Sequence, residues 1–403
     1  MAKRILIGWE LGGGLGHLVQ IRMLAREFLE RGFEVLVAVA SPRNGAQIFW
    51  SERNRRNFTL LRTPSMGLGL QTSIAAEPPV TFADLLYLRG FGDRHLLAAT
   101  TAIWRNLLRE IKPDLVVSDF SPLLNLAARG LVPLIVVGNG YMIPPNDRPL
   151  PPIGPWISEI PLYSQRHEDE ILDAVRSLPR PADTSPIARL GELFHGSETF
   201  LCTFPEFDPY QQFSRRYYYT PFNIPEFSNP PILAERPSEA VFVYLPGDHP
   251  SLPVLLEIFS MLERRCTLYA PGIDSQLKAS YARFGHQVLE SPADLSDVLM
   301  RVGLTVHHAG LAMVHAALFA GVPQLLLPLA LEHVVTARGM RQFGACAAFS
   351  GVALIDKAKL LEVCHVLLTD ADARMTANAA SRMAISRTTG TLQVIVDTCC
   401  QMM

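Results

Sequence analysis

The chain has 403 residues, of which 49% are hydrophobic and 18% charged, and a formal net charge of −2. That length exceeds one ordinary hydrophobic core and suits two domains. The composition excludes a disordered chain. The small net charge, with no long basic run, removes the electrostatic case for nucleic acid as a partner.

The six cysteines are Cys202, Cys266, Cys346, Cys364, Cys399 and Cys400. None forms a C-x-x-C pair, so neither a zinc site nor a disulfide framework is expected, and reduced thiols in a cytoplasmic protein are the reading. The N-terminus runs directly into an apolar strand pattern without a small-residue cleavage site, so no signal peptide is expected. No uninterrupted apolar run reaches the roughly 18 residues that span a bilayer.

Arg4 to Trp9 (RILIGW) predicts a buried strand. The loop Gly12-Gly13-Gly14-Leu15-Gly16 follows. Leu18, Ile21, Leu24, Ala25, Phe28 and Leu29 then recur at helical spacing, with Gly32 placed to end the helix. Phe33 to Ala40 is β-like again. A strand, glycine loop, helix and strand in that order build a parallel sheet. The logic repeats with a strand Asp114 to Ser118, Asp119 after it, a helix from about Pro122 to Arg129, and a strand Pro133 to Val137.

Seven prolines lie between Pro144 and Pro161. They exclude helix or central strand and predict a long surface loop, either an acceptor-side feature or a plain connector. A second proline-rich stretch, Pro205 to Pro237, holds the run Arg215-Arg216-Tyr217-Tyr218-Tyr219 and reads as a packed interdomain linker. A new α/β series opens at Ala240 to Leu245, turns at Pro246-Gly247, and enters a helix near Leu252. Strands follow at Cys266 to Ala270, Gln287 to Leu289, Leu304 to Val306 and Gln324 to Leu327. A last helix covers about Thr391 to Met403. The expected organisation is an N-terminal Rossmann-like domain over 1–210, a linker over 211–238, a second Rossmann-like domain over 239–386, and a C-terminal helix over 387–403. Ligands of open α/β sheets sit outside the carboxyl ends of the strands, so two such domains facing one another make a cleft with one substrate on each side.

The first glycine loop invites a test for a dinucleotide site. Its spacing is not a clean G-x-G-x-x-G, and the second strand ends Ala38-Val39-Ala40-Ser41 with no acid for a ribose hydroxyl; only Arg43 offers anything to a 2′-phosphate. His17 is more informative. It stands where loop becomes helix, and an imidazole there suits general-base chemistry near neutral pH. Asp119 follows a strand whose end can lie beside the first, within reach of the far nitrogen of His17, as in a triad. The bland alternative stays open: His17 caps its helix and Asp119 begins one.

The most specific stretch is Val306-His307-His308-Ala309-Gly310-Leu311-Ala312-Met313, continuing through a helix to Ala320-Gly321-Val322-Pro323. A helix start offers free N–H groups and partial positive charge, which suit a diphosphate leaving group. Glu332 and His333, after the strand Gln324 to Leu327, suit sugar hydroxyls.

This segment resembles the donor-binding signature of the GT-B fold glycosyltransferases, closest to the family of bacterial antibiotic and macrolide glycosyltransferases and UDP-glycosyltransferases. That pattern is His-(His)-Gly-Gly, a small-plus-hydroxyl pair, a helix, Ala-Gly-Val-Pro, then Pro and an Asp-Gln or Glu-Gln pair. His307, His308, Gly310, Ala320 to Pro323, Pro328 and Glu332 match. The opening Gly-x-Gly-His loop is similar to the family's acceptor-side loop. The resemblance implies an α/β GT-B fold, two Rossmann-like domains facing a central cleft. It implies His17 as catalytic base with Asp119 as its partner, and a donor site of Gly14, Gly16, His307, His308, Ala309, Gly310, Ala312, Met313, Glu332 and His333. It further implies inverting, metal-independent transfer, with a UDP- or dTDP-linked sugar as co-substrate and no cofactor.

Three departures stand out. Ala309 replaces the first glycine of the pair. Ala312-Met313 lacks the hydroxyl, and one phosphate hydrogen bond is worth about 1–3 kcal/mol. Glu332-His333 keeps the acid and alters the sugar contact. Ala316 also lacks a carboxylate that some members use on the ribose. These departures motivate the alternative of a catalytically silent GT-B-shaped binding or accessory protein. Met66, Leu68, Leu70, Phe82, Leu85, Leu86, Tyr87, Phe91 and Trp104 either line a hydrophobic acceptor pocket or fill helix cores. A small-molecule acceptor, hydrophobic or lipid, and with it peripheral membrane contact, is the corresponding expectation.

Overall fold

The computed structural model describes residues 2–66, 77–213, 216–227, 240–349 and 356–403. The chain divides into two compact units, Met1–Phe222 together with Thr389–Met403, and Asn223–Thr388.

The first unit holds strands β1 (Arg4–Trp9), β2 (Glu34–Val39), β3 (Phe58–Arg62), β4 (Leu115–Asp119), β5 (Leu134–Gly138) and β6 (Glu198–Leu201). All pair in parallel in the order β3-β2-β1-β4-β5-β6. Strands β1, β2, β4 and β5 are buried along almost their whole length and apolar but for Arg4, Glu34, Ser118 and Asp119 at their ends, because both faces of a parallel sheet are covered by crossover helices. Edge strands β3 and β6 are only half-buried, and β3 mixes polar with apolar residues. The helix Leu15–Glu30 buries Leu18, Ile21, Leu24, Ala25, Phe28 and Leu29 against this sheet. It ends at Arg31, and Gly32 takes the left-handed backbone that stops it, φ 83°.

The second unit holds β7 (Val241–Tyr244), β8 (Cys266–Tyr269), β9 (Gln287–Val288), β10 (Leu304–His307), β11 (Gln324–Leu326) and β12 (Cys346–Ala348). They are again all parallel, in the order β12-β11-β10-β7-β8-β9. Numbered within each unit, both sheets run 3-2-1-4-5-6, the doubly wound order whose reversal point lies between the first and fourth strands. Two parallel six-stranded sheets of this topology are the fold class expected from the sequence.

The C-terminal helix Thr391–Met402 belongs to the first unit. Ile395, Val396 and Cys399 enter the core that Leu18 and Phe28 share, and Arg31 Nη1 meets Asp397 Oδ1 at 3.0 Å. The hydroxyls of Thr220, Thr389 and Thr391 close a triangle with each side 3.1 Å.

One local expectation changes. The proline-rich stretch after β5 is packed down rather than a surface loop. Residues 142–145 and 150–154 are buried, and Ile153 N bonds Val80 O at 2.9 Å. Proline bars regular structure but not burial, since it carries no N–H to satisfy. In the second stretch Arg216 bonds Asp208 Oδ1 at 3.0 Å and Tyr218 bonds Asp208 Oδ2 at 2.8 Å, a packed arrangement; Arg215 lies outside the described residues. Phe82, Leu86, Phe91 and Trp104 are core residues, Met66, Leu85 and Tyr87 are half-buried, and Leu68 and Leu70 lie outside the described residues.

Candidate active site

In the first unit the reversal point falls between β1 and β4, where Trp9 pairs with Asp119 in register. The chain leaves β1 through Glu10 and Gly12, the latter at φ 96°. It enters the helix at Leu15 with Gly14 as its cap. His17 stands in the first turn, and its Nδ1 lies 2.9 Å from Asp119 Oδ1. The capping alternative for both residues is excluded. The His17 helix has no side-chain cap, Asp119 is the last residue of β4, and Ser121 occupies the cap position of the next helix.

Asp119 is 1% exposed and the His17 side chain 16%. Gln20 Nε2 donates to the second carboxylate oxygen at 3.4 Å. The imidazole is held between two rings, with Trp9 at 5.4 Å and Phe120 at 6.0 Å between centroids, both stacked. A Cβ on Gly12 would sit 2.9 Å from His17 Nε2, so that glycine keeps the far nitrogen uncrowded. Phe120 adopts a left-handed backbone at φ 49°, and its carbonyl accepts from Leu11 N at 3.1 Å. That turn fastens the end of β4 to the β1 loop. Phe82 packs edge-on to Phe120 at 5.8 Å, to Tyr141 at 5.9 Å and to Phe194 at 4.8 Å, an aromatic cluster continuing from the imidazole.

Glu10, which the sequence analysis did not single out, lies one residue beyond Trp9 at the end of β1. Its two carboxyl oxygens accept from Leu124 N and Leu123 N, each at 2.9 Å, at the start of the helix Pro122–Ala128. Burial raises its pKa to about 8 against the pull of those amides. An acid directly after a strand, with Ser-Pro opening a helix elsewhere, was the available signal.

In the second unit the equivalent point lies between β7 and β10. His307 ends β10 and is fully buried. Its Nδ1 accepts from Ala309 N at 3.3 Å and its Nε2 lies 3.0 Å from Gln324 Oε1. Gln324 Nε2 in turn donates to Val314 O at 3.2 Å. Burial, then neighbouring His308, lower its pKa to about 3, so it is a neutral structural strut. Ala309 is also sealed, at φ 66°. Gly310 caps the helix Leu311–Ala320, and a Cβ there would stand 3.0 Å from His308 Nε2. The helix begins with amides that have no carbonyl within it to bond. Ala312 is half-buried in that first turn, whereas Met313 points into the core with Phe242 and Ala316. Gly321 at φ 68° closes the helix.

His308 and His333 lie ring to ring, 4.6 Å between centroids, and Tyr244 at the end of β7 meets His308 edge-on at 5.2 Å. Glu332 and His333 occupy the first turn of the helix Leu331–Arg341. Gly14 and Gly16 precede His17 in the first unit, so the donor residues expected from the sequence fall in both units. Among the described residues no group of three or more His, Cys, Asp or Glu could hold a metal ion. The one D-x-D run in the sequence, Asp370-Ala371-Asp372, caps a helix: Asp370 Oδ1 accepts from Asp372 N at 2.9 Å.

Residues 291–402 match the family model of the erythromycin biosynthesis protein CIII-like C-terminal domain. The chain has the GT-B glycosyltransferase fold. Over 100% of its length and 99% of the other it is similar to the glycotransferase of kitacinnamycin, with a TM-score of 0.66 and 16% identity. Over 99% of both chains it is similar to the glycosyltransferase VinC in complex with dTDP, at 0.62 and 16%. It is also similar to Phytolacca americana UGT2 complexed with UDP-2-fluoro-glucose and pterostilbene, at 0.63 and 15% over 99% of both chains. No curated protein matches the chain in sequence. Among the described residues of this GT-B chain, no helix is long and apolar enough to cross a membrane.

Proposed function

We propose that this protein transfers a sugar from a UDP- or dTDP-linked donor to an acceptor hydroxyl, inverting the anomeric centre without a metal. The observation that carries the reading is the 2.9 Å contact between His17 Nδ1 and Asp119 Oδ1 at the reversal point of the first sheet. With Nδ1–H donating to the buried carboxylate, the basic lone pair is on Nε2. That nitrogen takes the acceptor's hydroxyl proton. The acceptor oxygen bonds to the anomeric carbon as the bond from that carbon to the diphosphate oxygen breaks. The nucleoside diphosphate leaves with the electron pair, and Asp119 stabilises the imidazolium.

The leaving diphosphate is assigned to His308, Gly310 and the first-turn amides of the Leu311–Ala320 helix, with Glu332 and His333 toward the sugar. His307 and Ala309 act by shaping that loop, since their side chains are sealed. The acceptor is a small hydrophobic molecule, suited to the aromatic cluster around Phe120 and Phe82. The neighbour crystallised with pterostilbene supports this class.

The test replaces His17 with Ala and Asp119 with Asn, and measures transfer and donor binding separately. UDP-glucose and dTDP-glucose serve as donors and polyketide aglycones as acceptors. A lost base lowers turnover by about 10²–10⁴-fold with donor affinity retained. Parental turnover in His17→Ala removes the base assignment.

Met313 favours a second reading, a GT-B-shaped binding protein without transfer. Its side chain is committed to the core and supplies no hydroxyl to a phosphate. Tight donor binding with neither hydrolysis nor transfer to any acceptor would decide for it.

A further inference from the structure

Four imidazoles crowd the carboxyl ends of the second sheet, and their hydrogen bonds divide them into two kinds. His249 and His307 are locked neutral by geometry. His249 Nδ1 accepts from Ser251 N at 3.1 Å, and its Nε2 donates to Leu327 O at 3.1 Å. His307 accepts from Ala309 N and donates to Gln324, as described above. A ring that accepts an amide N–H at one nitrogen has no site left for a second proton.

His308 and His333 differ. His333 Nδ1 is buried and has no hydrogen-bond partner among the described residues, and His308 Nδ1 is buried without a well-formed bond, its ring facing the Tyr244 backbone, which favours the charged form. The rings are 4.6 Å apart, beside the helix start that opens at Gly310. The titratable groups facing the pair are His249, His307 and Tyr244, with Glu332 beside His333 on its own helix. With two of those imidazoles locked neutral, the pair has a vacant protonation site. A buried nitrogen without a partner on His333, beside a poorly bonded one on His308, carries a desolvation cost that a ligand would relieve.

We propose that the His308–His333 pair takes up one proton when the diphosphate of a nucleotide sugar binds, so that donor affinity rises as pH falls through neutrality. This rests on the donor-site reading given above. The shared proton supplies the positive charge and the donated hydrogen bond that the Ala312-Met313 pair does not. Burial holds His308 near a pKa of about 4 and His333 near about 3, so both are neutral at pH 7. An adjacent dianion favours the charged form and raises the pair's pKa. Between the free and bound values each complex formed takes up a proton. Below the free values the site is already charged and the affinity levels off.

Calorimetry on the full chain tests this, with UDP-glucose and dTDP-glucose as probes because their diphosphates have no proton to titrate near neutrality. Binding heats are measured at about pH 6.5 in buffers of different ionisation enthalpy, a pH at which an unperturbed imidazole is half charged. The slope of heat against buffer ionisation enthalpy counts protons. Uptake of about 0.5 to 1 proton per donor is expected, with affinity rising up to about tenfold per pH unit lost. His333→Gln and His308→Gln, checked for parental circular dichroism, are measured alongside. At least one should bind without uptake and with pH-independent affinity. Donor binding with no proton exchange overturns the proposal and leaves the donor site standing, as does uptake that persists in both variants. Absence of binding to either nucleotide sugar overturns the donor site and the proposal together.

Discussion

Ala309 holds a left-handed backbone, φ 66°, inside the loop between β10 and its helix. An L-residue there brings Cβ against the following carbonyl, which costs about 1–2 kcal/mol. The family pattern has glycine at this place, and the structure supplies the reason. Ala309→Gly should therefore raise stability by about 0.5–1 kcal/mol after the unfolded chain's added freedom is subtracted. A urea titration showing equal or lower stability would mean that the buried methyl contributes more through packing than the strain removes. At this scale much of the candidate site's geometry was legible in the sequence. The glycine loop and the histidine after it marked one end of the first sheet, and Asp119 marked another. The inward turn of Met313 and the sealing of His307 were not legible, because which face of a helix or strand is covered depends on neighbours far away in sequence.

The start of the helix Pro122–Ala128 is tied to β1 by Glu10 rather than by a residue of its own. The folded chain favours the protonated acid, with a pKa raised from 4.5 to about 8. A raised value means that the stability Glu10 contributes is complete below the unfolded pKa and is lost as pH rises through about 8. Glu10→Gln keeps the shape and cannot ionise. The parent should lose stability relative to this variant when urea midpoints are compared at about pH 5 and about pH 9. Parallel midpoints at both would show that the two amides hold the carboxylate as well as the acid. Central strands were legible as unbroken apolar runs. Strands β3, β6 and β12 were not, because each is a sheet edge whose exposed face accepts polar or small residues.

At the scale of the molecule the second unit carries an unusual load of buried neutral imidazole. His307, His315 and His333 have pKa values lowered to about 3 and His308 to about 4, in each case chiefly by burial. For a base held below its ordinary 6.5, the stability of the neutral form is complete above that value. It is lost as pH falls toward the folded pKa. Acid should thus loosen residues 240–349 before the first unit. Limited digestion with an acid-tolerant protease between about pH 7.5 and about pH 5, read by mass spectrometry, should show the first new cleavages there. First cleavages within 1–222 would contradict this.

The local order of the chain was decided by sequence alone. Apolar runs, glycine loops and helical spacing set two successive α/β series, and the His-Ala-Gly helix signature identified the GT-B architecture. Tertiary structure decided what lies next to what. The C-terminal helix returns to the first core, Glu10 anchors a helix more than a hundred residues away, and His308 meets His333 across two strand ends. Periodicity is a property of neighbours along the chain and can be read from it. Proximity between distant segments exists only once a parallel sheet has set its strand order, and no local pattern encodes that order.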